Sequence, residues 1–137
     1  MGRVSAVVLT CVLTSALGAC ATNPTPADSP DFARHFANEA LELAHAQSDS
    51  QRVSRIFDMM DYRLEEMERL SQLGSYEYVR ALAASYRKLC VDGLARIEQR
   101  SPDLQGEIRE HVLSHQERLS ALDVSGDYDA CTNAVIH

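Results

Sequence analysis

Residues 51–73, QRVSRIFDMMDYRLEEMERLSQL, decide the fold class. Val53, Ile56, Phe57, Met60, Leu64, Met67 and Leu70 recur there at spacings of three and four. On a turn of 3.6 residues that spacing puts them on one side and leaves the charged residues on the other, which is how a helix buries one face. Gly74 follows at once and suits the left-handed position that ends a helix. Downstream, 76–100 repeats the pattern with Val79, Leu82, Tyr86, Leu89, Cys90, Gly93, Leu94 and Ile97. Gly93 inside that run costs about 1 kcal/mol relative to alanine, and close approach of a neighbouring helix would compensate.

Ser101-Pro102-Asp103 reads as a helix start: serine caps, proline needs no amide partner in the first turn, and aspartate meets the positive end of the dipole. A helix over 102–122 follows, with Leu104, Ile108, Val112, Leu119 and Leu122 inward. Ser29-Pro30-Asp31 repeats the device and opens a helix over 31–47 carrying Phe32, Phe36, Ala40, Leu43 and Ala44. The polar break Ser48-Asp49-Ser50 can cap the helix after it. No stretch combines period-two alternation with turn residues, so the expected class is all-α. The breaks at 48–50 and 74–75 are too short for anything but antiparallel neighbours, and four helices close most simply as an up-down bundle. A three-helix core with the first helix loosely docked is the alternative. The tail, 123–137, has few periodic apolar residues and is expected to wrap back, pinned by Tyr128, Cys131, Val135 and Ile136. No second copy at a period of 34 supports a tetratricopeptide repeat.

With 137 residues the chain has room for one domain. Its net charge is -7, with no cluster of basic residues. Because neutralising phosphates supplies most nonspecific nucleic-acid affinity, no nucleic-acid partner is expected.

Residues 1–19 combine a basic start at Arg3, an apolar run VSAVVLTCVLTSAL and small residues before Cys20, the parts of a secretory leader. The apolar run, about 14 residues, is shorter than the roughly 20 that a membrane-spanning helix needs. Leu17-Gly18-Ala19-Cys20 at its end resembles the lipobox of bacterial lipoproteins. That resemblance implies cleavage before Cys20, a lipid on its sulfur and a site in the cell envelope, with the domain facing the periplasm. Ala21 is not aspartate, which implies the outer membrane in a Gram-negative cell. Residues 20–30 contain Pro24, Pro26 and Pro30 and no large apolar side chain. They form a tether that, at about 3 Å per residue, reaches about 30 Å from the bilayer. The helical domain then occupies 31–137. Within it, residues 63–99 and 107–122 resemble helical-hairpin domains of unknown function in secreted and envelope proteins of bacteria, sharing a charged helix, Leu73-Gly74 with Tyr76 after it, and an alanine-rich partner helix.

Once Cys11 leaves with the leader and Cys20 carries lipid, Cys90 and Cys131 remain in an oxidising compartment, where two thiols tend to pair. Alternatively Cys90 is a small apolar residue on its helix's core stripe.

Candidate chemistry is sparse. Glu107, His111 and His115 are four apart and share a helix face, so they can offer a carboxylate and two imidazoles to a divalent metal. Against this, His115 falls within the apolar stripe between Val112 and Leu119, where a histidine is more often core. Only one Glu-x-x-His pair, Glu42 with His45, occurs, whereas di-iron bundles need two. His35 and His45 lie about 15 Å apart along their helix and are expected to be solvated. Met59, Met60 and Met67 could suggest a soft metal, but Met60 and Met67 fit the core by spacing. No nucleophile motif and no phosphate loop occurs. The expectation is a non-catalytic envelope module that acts as an interaction, adaptor or inhibitory partner. It would be held to the membrane by the lipid on Cys20, bind an envelope protein and need no cofactor. The alternative is a periplasmic metal-binding bundle using Glu107, His111 and His115.

Overall fold

Ser48 sets the entry to the central helix: its Oγ accepts a hydrogen bond from the Gln51 amide at 3.1 Å, and the Gln51 side chain reaches back to the Gln47 amide at 2.9 Å. Two amides that lack partners inside the helix are thereby satisfied. At the other end Gly74 adopts φ +72°. The Ser75 amide donates to the Leu70 carbonyl and the Gly74 amide to the Ser71 carbonyl, so the freed carbonyls are capped as the chain reverses.

The computed structural model describes residues 30–136, with side chains from Arg34 onward. The leader, Cys20, the tether as far as Ser29 and the side chain of Phe32 lie outside the described residues. The helices are α1 (Pro30–His45), α2 (Asp49–Gln72), α3 (Tyr76–Lys88), α4 (Ala95–Arg100), α5 (Gln105–Ser114), α6 (Gln116–Ser120) and α7 (Ser125–Val135). A π-helical segment (Leu89–Leu94) joins α3 to α4, and a 3₁₀ turn (Pro102–Leu104) leads into α5. There is no strand among the described residues, so the fold is all-α. No described helix is long and apolar enough to cross a membrane.

The core follows the expected stripes. Val53, Ile56, Met60, Leu64, Met67 and Leu70 of α2 pack against Val79, Leu82 and Tyr86 of α3, and Ile97, Ile108, Val112 and Leu119 extend the same cluster. Each large side chain so buried contributes about 1.5–3 kcal/mol. Gly93 sits where α2 passes closest: a Cβ there would meet Ile56 Cδ1 at 3.0 Å. Cys90 and Cys131 are joined, with their Cα atoms 5.2 Å apart, and the bond ties the π-helical segment to α7. A loop of this length stabilises by about 3–4 kcal/mol on the chain-entropy view.

The tail wraps back as expected, pinned by Tyr128, Cys131 and Val135, and does so as a helix, α7. Three apolar positions over three turns are too few to show as a stripe, and the disulfide supplies the rest of the hold. Two other expectations need correction. The helix expected over 102–122 is broken at His115, whose amide turns to the Val112 carbonyl at 3.3 Å. Ser101 does not cap α5 with its side chain; its Oγ donates to Asp49 Oδ2 at 2.6 Å. The face of α1 is also thinner than its apolar residues suggest. Phe36 and Leu43 are half-buried and Ala40 and Ala44 are exposed, while Glu39 is buried.

Candidate functional site

Two polar clusters flank α2. On the side facing α1, the Arg63 guanidinium is 2% exposed. It donates to both carboxylate oxygens of Glu39, at 2.8 and 2.5 Å, to the Met59 carbonyl at 3.1 Å and to Ser85 Oγ at 2.7 Å. Its carbon lies 4.7 Å from the Phe36 ring centroid. The guanidinium's charge and hydrogen bonds are balanced, so Arg63 and Glu39 make a structural pair, although His35 Nε2 beside Glu39 is buried without a hydrogen-bond partner. His35 rests beside it, Nε2 3.1 Å from Glu39 and its ring 4.4 Å from that of Tyr62, so it is not simply solvated as expected.

On the side facing α5 the arrangement differs. The α5 helix brings His111 to its last turn and ends at His115, so both rings turn toward α2 and meet Asp61. Asp61 Oδ1 lies 3.0 Å from His111 Nε2 and 2.9 Å from His115 Nε2. Three donor atoms, one from each residue, fall within 4.8 Å of one another. The distances suit hydrogen bonds, but the N–H directions do not: Asp61 Oδ1 and His111 Nε2 are each withdrawn from solvent with no hydrogen-bond partner. Asp61 as a whole is half-exposed, so the cluster has a solvent side.

Each imidazole is held from behind. His115 Nδ1 shares a hydrogen bond with the buried Tyr86 hydroxyl at 3.0 Å, and His111 stacks on Phe57 with centroids 3.9 Å apart and planes 10° from parallel. Burial, and then the neighbouring His111, push the His115 imidazole below its ordinary pKa, with Asp61 opposing the shift. It is therefore neutral at neutral pH, the form that binds metals. Burial pushes the Tyr86 phenol up, keeping it protonated. Two imidazole nitrogens and a carboxylate oxygen are donors that a small divalent cation takes.

Comparison with known protein families, curated proteins and solved structures finds no match for the chain.

Of the residues expected to form a metal site, His111 and His115 come together and Glu107 does not join them. Glu107 is exposed, beside an open depression lined also by Phe57, Glu110 and Ser114. The carboxylate in the cluster is Asp61, from another helix. One helical turn separates it from Phe57, the residue that stacks on His111, but no sequence spacing ties residue 61 to residue 111. Of the other residues considered, His45 is exposed, with Nδ1 2.7 Å from the Leu41 carbonyl. Met59, Met60 and Met67 are core. Glu42 is exposed and Cys20 lies outside the described residues.

Proposed function

We propose that the chain is an exported, lipid-anchored helical module of the cell envelope that works by binding a protein partner rather than by catalysis. The observation that carries the reading is the Cys90–Cys131 bond, buried where the π-helical segment meets α7. Structural disulfides persist in oxidising compartments and are rare where glutathione keeps thiols reduced. The same compartment is the destination that the residue 1–19 leader and the lipobox at Cys20 imply. A diacylated or triacylated cysteine holds a domain stably, since each buried methylene contributes about 0.8 kcal/mol and a single chain is marginal. The Pro-rich tether supports a partner at some distance from the bilayer.

Cell fractionation tests this. Wild-type protein expressed with its leader is expected in the membrane fraction, with intact mass showing a lipid on Cys20 and two fewer hydrogens at Cys90 and Cys131. Cys20→Ser is expected in the soluble envelope fraction. Membrane retention of the Ser variant, or a free thiol at Cys20 in the mature wild type, contradicts the reading.

A further inference from the structure

We infer that Asp61, His111 and His115 form a site for one divalent transition-metal ion of the zinc class. This goes beyond the envelope address and does not depend on it.

Three observations carry the inference. First, the donors converge: two imidazole nitrogens and a carboxylate oxygen, from segments about fifty residues apart, lie within 4.8 Å of one another. Zinc takes such atoms at about 2.0–2.2 Å. Its ligand atoms then stand about 3–3.5 Å apart when arranged tetrahedrally; the two imidazoles are already 2.9 and 3.0 Å from the carboxylate oxygen, and the widest donor pair, within 4.8 Å, draws together on binding.

Second, the contacts are unsatisfied as they stand. His111 Nε2 and Asp61 Oδ1 face each other at 3.0 Å, away from water, without a hydrogen bond between them. An unpaired buried polar atom costs about 1–3 kcal/mol, so a structure that holds two of them together has a reason to do so. A cation bound to both removes that cost.

Third, the surroundings fit. A ligating histidine usually gives its other ring nitrogen a partner that fixes its orientation, and the Tyr86 hydroxyl does this for His115 Nδ1. With metal on Nε2, the proton sits on Nδ1 and is donated to the tyrosine oxygen. The stacked Phe57 ring fixes His111. Two nitrogens and one oxygen favour zinc, nickel or copper over magnesium and calcium, which prefer all-oxygen shells. Water completes the shell on the open side beside Asp61, as in zinc sites with three protein ligands.

The test is a competition titration of untagged full-length protein in detergent, stripped with chelator, with Zn²⁺ against a chromophoric chelator and Mg²⁺ as control. One equivalent of Zn²⁺ is expected to bind saturably, and Mg²⁺ not at all. Asp61→Asn and His111→Ala, both at the solvent side of the cluster, are expected to weaken binding at least tenfold while keeping the wild-type circular dichroism spectrum. Tyr86→Phe is expected to weaken it about tenfold. Absence of one-equivalent binding by the wild type overturns the site whatever the variants do. So does Zn²⁺ binding by Asp61→Asn and His111→Ala as tight as wild type, which would place the ion elsewhere.

Discussion

Asp61 and Arg63 stand two residues apart on the same helix and therefore point about 200° apart around its axis. Their neighbours on the facing helix divide the same way: Ser85 serves Arg63 and Tyr86 serves the Asp61 cluster through His115. On the α1 side a cation meets a carboxylate and every short contact to the guanidinium is a hydrogen bond. On the α5 side a carboxylate meets two imidazoles, and the 3.0 Å contact between Asp61 Oδ1 and His111 Nε2 is not a hydrogen bond. The difference separates a charge-balanced pair from the cluster inferred above to bind a cation. Burial alone does not tell the two apart; the balance of charge and the alignment of donors do.

The largest effect is expected where the charge-balanced pair is broken. Arg63→Met leaves Glu39 buried without its partner and should destabilise by about 3–5 kcal/mol in urea unfolding. Glu39→Leu combined with Arg63→Met removes both charges and should recover most of that loss, because a buried pair is costly mainly when halved. A double variant as unstable as the single one would mean that the pair itself, not the stranded charge, holds α1.

Replacing Cys90 and Cys131 together by alanine acts on both clusters at once, since the bond ties down the segment that follows Ser85 and Tyr86. It should cost about 2–5 kcal/mol. A loss below 1 kcal/mol would show that the core of α2 and α3 holds α7 without it.

The bundle was legible where physics is local. The α2 and α3 stripes, the Gly74 stop, the Ser48 cap and the tight approach at Gly93 each depend on spacing within one or two turns. The Cys90–Cys131 bond followed from counting thiols. What crosses between helices was not legible. Glu39 sits among the polar residues of α1 and gives no sign that it is buried, and Arg63 looks like any charge on the outer side of α2. Asp61 has no pattern linking it to α5, so the nearest carboxylate on the same helix face, Glu107, stood in its place. The spacing places His115 in the apolar stripe, yet the stripe cannot show that the helix breaks there to bring the ring beside Tyr86.

On the open side, loss of the carboxylate should matter little to the metal-free fold. Asp61→Asn measured in chelator is expected to stay within about 1 kcal/mol of wild type, since the contacts it removes are not aligned hydrogen bonds. A loss of 3 kcal/mol or more would make Asp61 a structural acceptor and close the distinction from Arg63.

The smallest effect is expected from a third pair, complete but in water. Asp49 accepts from Arg100 and from Ser101, and these bonds hold its carboxyl below the ordinary 3.8. A carboxyl depressed in the folded state stabilises above its unfolded pKa and loses that contribution as pH falls below it. The melting temperature of wild type should therefore exceed that of Asp49→Asn at pH 5 and above, with the gap shrinking below about pH 3.8 and in high salt. A gap as wide at pH 2 as at pH 5 would contradict the assignment.

The most direct measurement is the two-dimensional ¹H–¹⁵N spectrum of the histidine rings of the full-length protein before and after one equivalent of Zn²⁺. The expected result is that the His111 and His115 Nε2 resonances move to metal-bound positions while His35, His45 and His137 stay in place. Unmoved His111 and His115 rings, or equal shifts at all five, would show that the cluster beside Asp61 is not a metal site.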